Sequence, residues 1–84
     1  MKMKYDEEWL KEVLSDPGIY KIMQLGYEMN EVPFFVYKKM DFNRKEFENR
    51  VHELRELGWI EVEKDSYRIT GLGKKVFEDF KHLE

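Results

Sequence analysis

A chain of 84 residues can bury one core of modest size, so we expect a single domain over residues 1–84. Zero cysteines exclude disulfides and thiolate metal sites, and no apolar run reaches the ~18 residues that span a bilayer. We therefore expect a cytoplasmic protein without a signal peptide. The formal net charge of −3 disfavours indiscriminate attraction to phosphates, so any DNA binding depends on a local patch. The chain is rich in lysine and glutamate and has few amide side chains, a composition similar to that of proteins from hot environments.

Two amphipathic helices are predicted at the start of the chain. Apolar residues recur at helical spacing over about residues 6–15, after an acidic start. Asp16 followed by Pro17 marks the next helix, because Asp caps helices and proline is tolerated at the first position. Its predicted buried stripe consists of Ile19, Ile22, Met23, Leu25 and Met29. Gly26 within that stripe predicts a closely packed neighbouring element, and residues 30–32 break the helix.

A short helix and a longer one follow. Pro33 favours the first position of a short helix that extends to Met40, and residues 41–42 form the turn after it. The candidates to face inward are Phe35 or Val36, Tyr37 and Met40. Asn43 followed by Glu46 matches a capping box and predicts a helix over residues 43–57. Its buried stripe consists of Phe47, Val51, Leu54 and Leu57. The glycine that comes next fits the left-handed conformation that ends a helix.

A β-hairpin is predicted after this helix. The inward residues of its first strand are Ile60 and Val62, and the outward residues are Trp59, Glu61 and Glu63. A two-residue turn over residues 65–66 pairs Val62 with Ile69. The same register places Glu63 opposite Arg68. Asp-Ser is a weaker hairpin turn than Asn-Gly, so a longer loop is the alternative.

The last predicted helix begins after Thr70, which can cap it, and extends to Leu83. Its stripe consists of Leu72, Val76, Phe80 and Leu83, with Phe77 at the edge. The predicted fold class is therefore mainly α with a small β-hairpin. An extra N-terminal helix precedes a helix, turn and helix, and a C-terminal helix follows the hairpin.

Three segments of the chain resemble the winged helix-turn-helix regulators of bacteria and archaea, broadly the MarR, ArsR and PadR relatives. They are residues 40–43, 54–60 and 67–73. The resemblance covers residues 17–83 and identifies the superfamily without a subfamily. It implies a transcriptional regulator that binds double-stranded DNA, commonly as a dimer. Asp41 stands where the turn usually has glycine, and Asp tolerates the left-handed conformation better than most residues.

The helix that starts at Asn43 is the candidate for the major groove. If its apolar stripe faces the core, the outward residues are Arg44, Lys45, Glu48, Asn49, His52 and Glu56. The two cations can reach phosphate or guanine, Asn49 can pair with adenine, and Glu48 can accept from cytosine. His52 can contact a phosphate or a base edge. Acids at Glu48, Glu53 and Glu56 repel phosphates, which favours contact at the first two turns of the helix over the last turn. The alternative is the solvated face of an ordinary amphipathic helix.

Flanking cations can contact the DNA backbone. Lys64 at the tip of the hairpin and Arg68 beside it can reach the backbone or a minor groove. The alternative for Arg68 is a cross-strand pair with Glu63. Lys38 and Lys39 on the short helix can clamp phosphates beside the groove, or they are ordinary surface lysines.

Aromatic residues near the chain ends allow two interpretations. Trp9, Phe77 and Phe80 are either core residues or the seam of a homodimer formed through the N- and C-terminal helices. Such a seam would place two recognition helices about 34 Å apart, one turn of DNA.

No enzyme activity is expected. The chain has only two histidines, His52 and His82, on different predicted elements, and it contains no P-loop or nucleophile elbow. We therefore expect no catalytic residues, metal or cofactor, and no membrane partner. The functional hypothesis is a sequence-specific DNA-binding regulator. The alternative is a winged-helix protein–protein interaction module without DNA binding, because a fold alone does not determine function.

Overall fold

The computed structural model describes residues 7–40 and 43–83, with all their side chains except that of Leu83. In chain order the elements are α1 (Glu7–Leu14), α2 (Pro17–Met29), β1 (Glu31–Pro33), a 3₁₀ helix (Phe34–Lys39), α3 (Arg44–Glu56), β2 (Ile60–Val62), β3 (Ser66–Ile69) and α4 (Gly71–Leu83). The structure thus confirms a mainly α fold with a small antiparallel sheet. The predicted turn at Asp41 and Phe42 lies outside the described residues, as does Asp6.

Helix α2 begins where the sequence predicts. The Asp16 side chain accepts hydrogen bonds from the backbone N–H groups of Gly18 (2.8 Å) and Ile19 (3.3 Å). The helix ends at Asn30, whose φ of 77° is positive, and Asn adopts a positive φ more readily than most residues. The prediction that Met29 belongs to the buried stripe is wrong, since this last residue of α2 is 51% exposed.

The sheet has three strands in the order β1-β3-β2, where the sequence predicted a two-stranded hairpin. Residues 30–32 were expected only to break a helix, yet Val32 lies in β1 and pairs with Tyr67 of β3. A three-residue strand carries too short an alternation to be detected. Its partner is also distant in sequence. The central strand of the sheet is therefore β3.

The predicted register of the hairpin is wrong by two residues. Ile69 pairs with Ile60, and the connecting turn consists of residues 64–65. The backbone N–H of Glu63 donates to the carbonyl of Ser66 at 2.8 Å and closes that turn. Ser66 belongs to β3 because it pairs with Pro33 of β1, and its hydroxyl also donates to Glu31 of the same strand at 2.9 Å. A shift of two residues preserves the alternation of the strands, so Ile60, Val62 and Ile69 still share one face of the sheet, as predicted.

Two side chains at the ends of β2 also depart from the prediction. Trp59 was placed outward but is 2% exposed, because it precedes the strand and its ring packs edge-to-face on Trp9 at 5.9 Å. Val62 was placed inward but is 37% exposed, since it lies at the end of the strand next to the turn.

The core lies between the helices and one face of the sheet. Its buried apolar residues are Leu10, Leu14, Ile19, Ile22, Met23, Val32, Phe47, Val51, Leu54, Trp59, Ile60, Tyr67, Ile69, Val76, Phe77 and Phe80. The Tyr67 hydroxyl donates to the carbonyl of Ile22 at 2.8 Å, and burial raises the Tyr67 pKa. Gly26 packs against β3 as predicted, since a Cβ there would lie 3.3 Å from the Cβ of Ile69.

The last helix is capped as predicted. The Thr70 hydroxyl accepts from the backbone N–H of Gly73 at 2.9 Å and donates to the carbonyl of Gly58 at 2.7 Å. Gly58 has a φ of 78°, which confirms its predicted left-handed conformation. Leu72 was predicted in the stripe but is 46% exposed, while Phe77, placed at the edge, is fully buried. Within residues 7–40 and 43–83, no helix has the length and apolar character needed to cross a bilayer.

Candidate functional site

The start of α3 is fixed by a capping box, as the sequence predicts. The Asn43 side-chain oxygen accepts from the backbone N–H of Glu46 at 2.9 Å. The Glu46 carboxylate accepts from the backbone N–H of Asn43 at 3.1 Å. Both groups satisfy helix-end donors that would otherwise lack partners. Asn43 therefore positions the first turn, and its side-chain oxygen is engaged in that cap.

The outward face of α3 has the predicted composition. Phe47, Val51 and Leu54 are buried, which fixes the rotation of the helix about its axis. The residues on the opposite face are all exposed, namely Arg44, Lys45, Glu48, Asn49, His52 and Glu56. The face is chemically mixed, with two cations, an acid and an amide in its first two turns and a histidine and an acid after them.

Arg44 has a partner on its own helix. Its Nε lies 2.9 Å from the Glu48 carboxylate, and the two side chains are 71% and 54% exposed. An exposed pair of this kind contributes at most about 1 kcal/mol, so Arg44 can exchange Glu48 for an external anion. While this pair is formed, the positive charge of Arg44 compensates the negative charge of Glu48.

A second ion pair, which the sequence did not reveal, holds α3 against α2. Arg50 donates to both carboxylate oxygens of Asp16, at 3.1 Å and 3.0 Å. The hydrogen bonds from Arg50, and to a lesser degree those from the backbone of Ile19 and Gly18, lower the pKa of Asp16 against the opposing effect of desolvation. The aliphatic part of Arg50 passes so close to Gly18 that a Cβ there would lie 2.9 Å from it. Asp16 therefore both caps α2 and orients α3.

The 3₁₀ helix brings its lysines next to α2 and α3. A cavity of about 430 Å³ is lined by Asp16, Pro17, Gly18, Lys21, Lys39, Met40, Glu46 and Arg50. A second cavity of about 230 Å³ is lined by Phe34, Phe35, Tyr37, Lys38, Arg44, Phe47 and Glu48. Lys38 and Lys39 are both exposed. The predicted lysines of the short helix thus lie beside the first turn of α3.

The exposed face of the sheet carries more acids than cations. Arg68 on the central strand lies directly opposite Glu31 on β1 and Glu61 on β2. It also forms an ion pair with Glu63 at 3.6 Å, in which both side chains are half exposed. The pair that the sequence offered as an alternative for Arg68 is therefore present, although in a diagonal geometry. Lys64 is exposed in the turn, between two acidic residues.

The aromatic residues of the two terminal helices differ in burial. Phe77 and Phe80 are core residues at 1% and 7% exposure, and the ring of Tyr20 packs on both. Trp9 is 36% exposed. Phe77 and Phe80 are therefore core residues, and of these three aromatic residues only Trp9 is partly exposed to solvent.

Comparison of the chain with models of protein families, with curated proteins and with solved structures found no match. In the part of the chain that the structure describes, no group of three or more His, Asp or Glu side chains could hold a metal ion.

Proposed function

We propose that the chain is a winged helix-turn-helix regulator that binds specific DNA sequences, with α3 in the major groove and the β2–β3 hairpin as the wing. The observation that carries this proposal is the exposed, capped start of α3, where Arg44, Lys45 and Asn49 project away from the buried stripe. An α-helix fits the major groove, and residues near its N-terminus are well placed to contact base edges.

The proposed contacts divide into two kinds. Lys38 and Lys39 flank the start of α3 and would neutralise phosphates, which fixes position without reading sequence. Lys45 and Asn49 are the candidates for base edges, since Lys favours guanine and Asn favours adenine. His52 lies one turn further on and would contact a base edge or a phosphate.

The wing would contribute less than the helix. Lys64 at the exposed turn is its available cation, and it would contact the backbone. Arg68 lies among three glutamates, so a phosphate that approached it would also meet their negative charge. Its affinity for a phosphate is reduced accordingly.

We also propose that the regulator acts as a homodimer through its N- and C-terminal helices. Among the described side chains of α1 and α4, the exposed large apolar ones are Trp9 at 36% and Leu72 at 46%. A second copy would cover them and would space two α3 helices for adjacent major grooves. Light scattering at micromolar concentration tests this, and a monomeric mass would contradict it.

A DNA titration tests the regulator proposal. Bound sequences are first selected from a random duplex library. Affinity for a selected duplex is then measured by fluorescence anisotropy at about 50 mM and about 200 mM salt. Binding that depends on phosphate contacts weakens steeply over this range of salt. The double variant Arg44→Ala/Lys45→Ala should bind more weakly and show a shallower salt dependence. The control Lys74→Ala/Lys75→Ala removes the same charge from exposed positions on α4 and should behave as wild type.

The acidic face of the sheet favours one alternative function. Glu31, Glu61 and Glu63 surround one arginine, on a chain whose net charge is −3. Such a face suits a basic surface on a protein partner. In the same titration, absence of DNA binding at both salt concentrations would contradict the regulator and support a protein interaction module.

A further inference from the structure

Phe35 is a large aromatic side chain that the packing of the described residues leaves exposed. It is 62% exposed, the highest value among the large apolar side chains of the described residues. It lies on the 3₁₀ helix, where residues three apart are eclipsed, so Phe35 and Lys38 share one face. An exposed ring and an ammonium group are therefore adjacent at the start of the proposed DNA-binding surface.

The cavity behind Phe35 has aromatic walls. Phe34 and Tyr37 pack on the ring of Phe47 at centroid distances of 5.8 Å and 5.9 Å. Lys38 and Arg44 line the same space of about 230 Å³. The walls are held by the buried Phe47, so the cavity is a built feature of the fold, large enough for a planar heterocycle.

We propose that this aromatic cavity takes an unstacked nucleobase of DNA, with its phosphate held by Lys38 and Arg44. The inference rests on the proposed function and names a second element of the same site. Bases within a duplex are stacked on both faces, so a ring such as Phe35 can stack only on a base that is unpaired or extruded. The cations beside the ring supply the charge that the accompanying phosphate requires.

Glu48 gives the cavity a preference among bases. Its Oε2 pairs with Arg44, which leaves Oε1 as an acceptor at the wall of the cavity. A carboxylate accepts from the exocyclic amino groups of adenine, cytosine and guanine, whereas thymine has no amino group and offers only its ring N3–H. The cavity should therefore favour an unpaired adenine over an unpaired thymine.

The test compares two duplexes that both carry the selected binding sequence, at the same salt concentration. The first is fully paired, and the second has a single extrahelical adenine next to the binding sequence. Fluorescence anisotropy should show the bulged duplex bound roughly fivefold or more tightly, the lower end of what base stacking on an aromatic ring contributes. The variants Phe35→Ala and Phe35→Leu should lose this preference, and Phe35→Trp should keep it. Met29→Ala, at an apolar side chain that is 51% exposed, serves as the matched control and should bind as wild type.

Other outcomes decide between explanations. Equal affinity for the two duplexes would overturn the cavity proposal and leave the regulator intact, while failure to bind either duplex would overturn both. Free dAMP that binds in a Phe35-dependent manner, without any preference for the bulged duplex, would assign the cavity to a mononucleotide and overturn the DNA proposal. Replacement of the extrahelical adenine by thymine should lower the affinity in wild type and have little effect in Glu48→Gln/Phe35→Ala.

Discussion

The start of α3 and the exposed face of the sheet both present cations, but the charges around those cations differ. At α3, Lys38, Lys39 and Lys45 are exposed, and Arg44 has one acidic partner that lies on the surface. On the sheet, Arg68 faces a glutamate on each neighbouring strand and pairs with a third. The value of a cation for phosphate binding therefore depends on its cross-strand or i+4 neighbours as much as on its exposure.

Charge reversal at the two regions should give the largest difference. Arg44→Glu/Lys45→Glu places two repulsive charges where the proposed DNA lies, and we expect roughly 100-fold weaker binding, since each contact of this kind is worth about 1–3 kcal/mol. Arg68→Glu should change affinity by no more than about threefold, because its neighbours already repel phosphate. Anisotropy at one salt concentration measures both, with circular dichroism to verify folding. A larger effect of Arg68→Glu would reverse the comparison.

The orientation of the α3 face depends on Asp16. Asp16→Ala removes the cap of α2, worth about 1 kcal/mol, and leaves Arg50 without its carboxylate partner. We expect the free energy of unfolding to fall by about 2 kcal/mol, measured by urea denaturation. Asp16→Asn retains a capping side chain and removes only the charge of the pair with Arg50. It should therefore lower the free energy of unfolding by less than Asp16→Ala does. An Asp16→Asn variant as stable as wild type would show that the charged pair with Arg50 contributes nothing to stability, and equal losses in the two variants would show the same for the cap.

Asp16 should also make the fold sensitive to acid. Its pKa lies below the ordinary 3.8 because the hydrogen bonds from Arg50 favour the carboxylate. A lowered pKa gives a stabilising contribution that is fully present above the ordinary value and is lost as pH falls through the folded value. The stability difference between wild type and Asp16→Asn should thus be constant at neutral pH and shrink at acidic pH. Urea denaturation across that range measures it.

The sheet is tied to α2 by a buried hydroxyl. Tyr67→Phe removes the donor to the Ile22 carbonyl and should lower the free energy of unfolding by about 1 kcal/mol. Tyr27→Phe is the matched control, because the Tyr27 hydroxyl donates to Glu78 at an exposed position where water can replace it. Its unfolding midpoint should stay close to that of wild type. If the sheet were attached independently of Tyr67, the two variants would behave alike.

The sequence predicted features that depend on neighbouring residues in the chain. The caps at Asp16, Asn43 and Thr70 and the end of α3 at Gly58 are confirmed, because each uses contacts within a few residues. The outward face of α3 followed from the 3.6-residue period of its buried stripe. These local rules gave the composition of the candidate helix.

The features that the sequence missed depend on contacts between distant segments. Strand β1 exists because it pairs with β3, Ser66 joins β3 through its pairing with Pro33 of β1, and α3 is held against α2 by Asp16 through Arg50. None of these pairings has a periodic signal in the chain. For the same reason the aromatic cavity, which joins residues of the 3₁₀ helix to residues of α3, could not be predicted from either segment alone.

Neutralising the acids of the sheet should give the smallest effect and the finest test of the comparison. Glu61→Gln/Glu63→Gln leaves Arg68 and Lys64 as the dominant charges of the β2–β3 hairpin, and we expect DNA affinity to rise roughly twofold to fivefold, since exposed charges at this range are strongly screened by salt. Glu7→Gln/Glu12→Gln on α1 changes the net charge equally and serves as the control. A gain confined to the sheet variant means that the hairpin approaches phosphate and that its acids limit the contact. Equal gains would mean that only the total charge of the particle matters, and the hairpin would then have no place in the DNA complex.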